Sequence, residues 1–257
     1  MKFNISKEDA NRLVDAFERD LENRDMDLFY SVFTKHFKDK SDFEACLNNL
    51  NAEKSNIARL GFFYYVATEE IGHAAVVLIS IFSIMEATAT EEFKPFDQWL
   101  YKIIKGDESI TYPITDQNHF KKLILSLQKK YYLQYGSSQK VRNFIDTYFG
   151  IEDKQSLIGG IQINNKQLDI ESLDLDNKLK IIVNILYDQR NAFVHKARLP
   201  QISDQNVKMF GACKVRNKET FVSIKISINE IKSMFEKAFV KLIKERGTFN
   251  QRLQKDH

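Results

Sequence analysis

With 257 residues, 43% of them hydrophobic and 28% charged, the chain is long enough for one large domain or two modest ones and too apolar to be disordered. Nine Gly and three Pro argue against a turn-rich sandwich or barrel, and two cysteines, Cys46 and Cys213, exclude a disulfide framework or a Cys-rich zinc site. The net charge of +3 conceals an asymmetry: residues 1–117 hold 13 Lys+Arg against 21 Asp+Glu, residues 118–257 hold 25 against 14, and the basic half suits a polyanion.

The first eight residues lack the apolar run of a secretory signal, so the expected location is cytoplasmic, with both thiols free. Ser6, with Asp9 three residues on, predicts a helix start, and Leu13, Phe17 and Leu21 follow at a spacing of four. Residues 26–37 place Leu28, Phe29, Val32, Phe33 and Phe37 on a second helical stripe, and Ser41 predicts the cap of a short helix to Leu50. Residues 57–67 and 71–89 are strongly apolar; they read as one long helix or two, and Gly61 and Gly72 leave both open. The most apolar run, 74–85, is bracketed by His73 and Glu86 and falls short of the roughly 20 residues of a membrane span, so it predicts a helix buried inside a bundle. Residues 96–104 predict another short helix ended by Gly106.

Residues 107–118, with Pro113, predict a loop at the charge switch. Two helices follow, at 119–135 and 139–149, separated by Gly136-Ser137-Ser138. Residues 150–173 read as irregular, with a small hairpin around Gly159-Gly160 and the alternating Ile161 and Ile163. A long helix over 175–197 is stopped by Leu199-Pro200. The clear β signal comes next: runs at 208–215 and 220–227 flank Arg216-Asn217-Lys218-Glu219, and the second sets Phe221, Ser223 and Lys225 against Val222, Ile224 and Ile226. Asn229 predicts the cap of a final helix through Ile243, and the polar tail beyond Gly247 reads as frayed. The expected fold is mainly all-α, a multi-helix bundle with a small β-hairpin near residues 208–228. Its expected organisation is acidic N-terminal helices over 1–54 and a helical domain over 55–257.

The segment that carries chemistry is Tyr187-Asp188-Gln189-Arg190-Asn191-Ala192-Phe193-Val194-His195, late in an apolar helix. At 100° per residue Tyr187, Asn191, His195 and then Arg198 fall along one stripe, and the long Arg190 side chain swings towards it. A guanidinium forks onto phosphate oxygens and keeps its charge, whereas an imidazole gives or takes a proton near neutral pH. The plain alternative is an ion pair between Arg190 and Asp188 or Asp204, with His195 a cation favoured at a helix C-terminus.

Arg190-Asn191-x3-His195 resembles the motif of the HEPN superfamily (higher eukaryotes and prokaryotes nucleotide-binding), helical bundles in which an Arg, often followed by Asn, precedes a His by four to six residues. The apolar helix ending in Met85-Glu86 is similar to an earlier core helix of such bundles that often carries an acidic residue. The resemblance spans residues 55–245 in architecture and leaves the acidic N-terminal helices uncovered. It implies a metal-independent endoribonuclease without cofactors, acting in toxin–antitoxin growth arrest or antiviral defence. A homodimer would bring two such helices together into one composite site. His195 would serve as general base or acid, Arg190 would stabilise phosphorane oxygens, and Asn191 would orient either. An antitoxin or activator protein is an expected partner beside RNA. One subgroup has a Tyr, the target of AMP attachment, two residues after the His; here that position is Ala197. The same family resemblance admits a non-catalytic helical adaptor.

Other candidates are secondary. Lys121, Lys122, Lys129 and Lys130, with Lys140, Arg142 and the interleaved Tyr131, Tyr132 and Tyr135, suit an RNA path, as do Tyr187, Lys196 and Arg198. Leu123, Ile124 and Leu127 at helical spacing argue instead for the solvated face of a core helix. Glu70-x-x-His73 is half of a di-iron pattern whose other half is missing, with Asp116-x-x-His119 as its nearest echo, so His73 is expected in the core and no metal is expected. A second Arg-x4-His, Arg252 to His257, falls in the tail.

Overall fold

A computed structural model describes residues 7–50, 54–89, 95–106, 117–164, 172–205, 207–215 and 218–253. Ser6, the loop at 107–116, Arg216-Asn217 and His257 lie outside them. The chain is mainly helical with one small sheet, as the sequence patterning predicts.

The N-terminal stripes form one helix, α1 (Lys7–Phe33), rather than two. No breaker interrupts the sequence between them, and the switch falls in burial instead: Leu13 and Phe17 are exposed, whereas Met26, Phe29 and Phe33 are in the core. A 3-10 turn (Thr34–His36) leads to α2 (Lys40–Leu47), capped by Asp39 rather than Ser41, because the Asp39 carboxylate accepts from the Asp42 N–H at 2.9 Å. The next apolar stretch is two helices, α3 (Lys54–Tyr65) and α4 (Ala74–Ala87), joined by a π turn (Val66–Ile71). Gly72 makes the break, since its φ of +65° is left-handed backbone that glycine adopts freely. Gly61, by contrast, is a contact glycine: a Cβ there would fall inside the Phe29 ring.

Helix α4 is buried on nearly every side, with Val77, Leu78, Ile81, Phe82, Ile84 and Met85 all in the core. Its one interior hydroxyl, Ser80, donates back to the Val77 carbonyl. Helices α5 (Phe96–Gly106) and α6 (Gln117–Tyr135) follow, and their rings make a satellite cluster of Trp99, Leu127 and Tyr131. Helix α7 (Ser137–Tyr148) begins straight after Gly136. Residues 151–159 correct the sequence expectation of irregular chain. They form α8 (Ile151–Gly159), opened by Gly150 and by Glu152 and Asp153 in its first turn, where a helix favours negative charge. Strand β1 (Ile161–Asn164) then leads towards α9 (Leu175–Lys196), capped by Asp174.

Strands β2 (Met209–Val215) and β3 (Lys218–Ile224) form the expected hairpin. Its sheet is larger than expected, because β1 adds to the other side of β3 in the antiparallel order β1-β3-β2. Helix α10 (Ile228–Leu253) closes the chain. Its start is set by Ser227 and Glu230 in a capping box, and Asn229 points its amide to the Asp204 carbonyl instead. Helix α10 continues past Gly247 to Leu253.

One core joins these elements. It draws Met26, Phe29, Phe33 and Phe43 from α1 and α2 together with residues from Ile57 to Ile243. Helix α4 packs against α3, α7, α9 and α10, so it is the axis around which α7 and α9 are positioned. Among the described residues, no helix is long and apolar enough to cross a membrane.

Candidate functional site

The site begins with an acid at the wrong end of a helix. Glu86 sits in the last turn of α4, where the helix dipole disfavours a carboxylate. Arg190 of α9 answers it, with Nη2 3.8 Å from Glu86 Oε1. Both side chains are largely withdrawn from solvent, with relative exposures of 18% for Arg190 and 21% for Glu86. The partners thus differ from both aspartates suggested by the sequence. Asp204 accepts from the Ala74 N–H at the other end of α4, and Asp188 lies near enough to Cys213 to raise its thiol pKa.

Tyr187 and Asn191 complete the cluster. The Tyr187 hydroxyl donates to Glu86 Oε1 at 3.2 Å, across 101 residues of sequence. Arg190 Nη1 donates to Asn191 Oδ1 at 3.1 Å and approaches the Tyr187 oxygen at 3.5 Å. The guanidinium also lies over the Tyr187 ring, 5.4 Å from its centroid, while Phe82 stacks on that ring at 6.0 Å. Ser137, the first residue of α7, stands close enough to the same phenol to influence its ionisation. Burial holds the Tyr187 phenol above its ordinary pKa and Glu86 pushes the same way, while Ser137 and Arg190 pull it down. It stays protonated and serves as a donor. The Arg190 Nε is buried with no partner, so part of the donor fork remains unspent.

His195 stands one turn beyond Asn191, in the exposed last turn of α9. Helix α9 ends at Ala197 in left-handed backbone, φ +50°, with the Ala197 and Arg198 N–H groups tied back to Phe193 and Ala192. That turn corrects the expected stripe: it runs Tyr187, Asn191, His195 and stops, leaving Arg198 beyond the helix. Lys196 and Arg198 are exposed, and so are Val194 and Leu199, a rim that mixes cations with apolar groups.

Lys121, Lys122, Lys129 and Lys130 are exposed along α6, which packs on α7 as α7 packs on α9. These lysines therefore stand one helix away from α9. Tyr132 is exposed beside them, but Tyr131 is buried, its ring 5.2 Å from Phe96 and 5.5 Å from Trp99. Tyr131 is thus a packing residue rather than a surface for bases. His73 is not in the core: it is exposed at the N-cap of α4, where its Nδ1 accepts from the Ala75 N–H at 3.2 Å. Among the described residues, no three His, Cys, Asp or Glu gather as a metal set. Burial, with Asp188 beside it, pushes the Cys213 thiol up to about 11, which suits a packing thiol rather than a nucleophile.

The sequence pointed to Arg190, Asn191 and Tyr187 and flagged Glu86 as an acid of interest. It did not point to Ser137, which it placed in the break between two helices. No protein-family model, curated protein or solved structure matches the chain.

Proposed function

We propose that this chain is a HEPN-type endoribonuclease that cleaves RNA without a metal, leaving 2′,3′-cyclic phosphate and 5′-hydroxyl ends. One observation supports it above the others. An acid late in the central apolar helix and an Arg-Asn pair late in a second helix converge, with a His one turn on in the open. A guanidinium braced on three sides is preorganised, which is what transition-state charge requires. In the reaction His195 takes the proton of the ribose 2′-hydroxyl. The 2′ oxygen attacks the adjacent phosphorus, the bond from phosphorus to the 5′ oxygen breaks, and the departing oxygen takes a proton from water, leaving a 5′-hydroxyl. Arg190 stabilises the charge on the phosphorane oxygens, with Asn191, Tyr187 and Glu86 as positioning residues.

Each protomer is a half-site in this mechanism, and the exposed Val194 and Leu199 beside His195 offer the apolar contact for a second copy. Substitution Leu199→Glu should then move the sedimentation coefficient from dimer to monomer and lower cleavage with it. The role is growth arrest or antiviral defence in the cytoplasm, under an antitoxin or activator protein.

The test is incubation with total RNA and tRNA in EDTA, beside His195→Ala and Arg190→Ala, with product ends mapped. Wild type should leave cyclic phosphates, and each variant should lose about 10²–10⁴-fold in rate; His195→Ala should keep its thermal melt, and Arg190→Ala should stay folded with a lower one, since it strands Glu86. A His195→Ala protein that cleaves as fast as wild type sinks the assignment. A wild type that does not cleave, even with an activator from its own cells, leaves the non-catalytic adaptor.

A further inference from the structure

The three-stranded sheet has two unlike faces. Inward, β3 turns Thr220, Val222 and Ile224 into the body, and all three are buried. Gly211 of β2 opposes Val222, and the Gln201 side chain fills the space that a Cβ there would take. Outward, Ser223 at the centre is buried as well, but Phe210 and Phe221 are uncovered, at 63% and 69% exposure. Phe210 pairs with Ser223 and Phe221 pairs with Ala212, so the two rings are diagonal neighbours on one face, about 7–8 Å apart at the backbone.

The chemistry around the rings is cationic and polar. Lys208 Nζ stands 5.0 Å from the Phe210 ring centroid, and Lys225 is exposed two residues beyond Ser223 on the same face. Gln162 of β1 pairs with Ser223 and accepts its hydroxyl at 3.5 Å, leaving an exposed amide beside the rings. Glu219, opposite Lys214, is the acid of this face on β3. Protein–protein interface cores are depleted in Lys, whereas here a lysine lies on the aromatic ring itself. Rings held on ordered strands with lysines at hand suit a different occupant: unpaired bases stack on the rings and phosphates meet the ammonium groups.

We propose that the outer face of this sheet is a stacking platform for single-stranded RNA, with two bases on Phe210 and Phe221 and the flanking phosphates on Lys208 and Lys225. The proposal rests on RNA as the partner named above, but not on its cleavage. Cys213 on the inner side of β2 lies beside Asp188 of α9, so the platform is on the other face of the sheet from α9. It would hold substrate by its unpaired segments and favour loops over duplex.

The test uses a labelled 2′-O-methyl oligonucleotide of about twelve nucleotides, titrated by anisotropy in EDTA. It has no free 2′-hydroxyl and binds intact whether or not the protein is a nuclease. Phe210→Ala and Phe221→Ala should each weaken binding about tenfold. Phe210→Trp should restore it, and Phe210→Leu, which keeps an apolar contact but loses the ring, should not. Both rings are exposed, so the melts of the variants should match wild type. Wild-type protein that fails to bind, or leucine variants that bind as well as wild type, overturn the proposal. A dimer that falls apart in Phe210→Ala overturns it too, by giving the face to a second copy. Ring-dependent binding without cleavage of ordinary RNA would sink the nuclease reading alone. Cleavage indifferent to both rings, with no oligonucleotide bound, would sink the platform alone.

Discussion

Two regions touch α4 and treat it in opposite ways. On one side α1, α2, α3 and α10 contribute Phe29, Phe33, Phe43, Tyr64, Phe235 and Phe239, all fully buried, with Phe29 edge-on to Phe33 at 5.5 Å and to Phe43 at 5.4 Å. The one polar tip among them, the Tyr64 hydroxyl, donates to Glu236 at 2.8 Å. At the C-terminal end of α4 lies the Glu86–Tyr187–Arg190–Asn191 cluster, partly wet and with a donor unspent. The aromatic side is saturated, so a change there is felt as lost stability. The charged side is held in a chosen geometry with capacity left over, so a change there should be felt first as lost chemistry.

The strongest test of that contrast is Phe29→Ala, which should cost about 3–5 kcal/mol in denaturant titration, the usual penalty for emptying an aromatic core position. Gly61→Ala attacks the same contact from the other side and should cost about 1–3 kcal/mol by overpacking. Combining it with Phe29→Leu should cost less than the two changes summed, since the ring is the obstacle. Strict additivity would mean that Gly61 serves its helix rather than this contact.

A smaller effect is expected at the charged cluster. Glu86→Gln leaves Arg190 without its anion and should cost about 1–2 kcal/mol in thermal stability, less than a fully buried pair because both groups keep some contact with water. Against RNA it should lower kcat with little change in KM, because the guanidinium is mis-aimed rather than removed. An unchanged kcat with the same loss of stability would make Glu86 a structural partner and blunt the contrast between the two regions.

How much of this was legible in the sequence follows from the range of each interaction. The α4 run and the strand over 218–224 are local patterns and both formed, although Ser223, read as outward and polar, is buried, and Lys225 lies past the end of β3. Helix α8 hid because its apolar content is thin and glycines flank it; packing on α9 and β1 completes it. The third strand was half legible: Ile161 and Ile163 alternate, but they suggested a local hairpin around Gly159-Gly160, whereas residues 151–159 are helix and the strand pairs with β3, about 60 positions away. In the candidate site, Arg190, Asn191 and His195 share one helix and could be read by spacing. Glu86 and Ser137 reach Tyr187 from other helices, and no local period reports such contacts.

The smallest prediction concerns the turn that ends the His195 helix. Ala197 is the non-glycine residue with positive φ among those described, and a Cβ in left-handed backbone costs about 1–2 kcal/mol. Glycine removes that strain but adds freedom to the unfolded chain, so Ala197→Gly should stabilise the fold by about 0.5–1 kcal/mol net. The readout is a modest rise in the thermal midpoint. Its value lies in where it acts: the substitution firms the C-terminal turn of α9 without touching His195, Arg190 or the aromatic core. If the loose end of α9 must adjust to meet a second copy and RNA, the stiffer variant should melt higher and cleave more slowly. If the turn is already in its working geometry, the midpoint should rise and the rate should hold. A fall in the midpoint would show that the turn is not left-handed, and the end of the Tyr187–Asn191–His195 stripe would have to be redrawn.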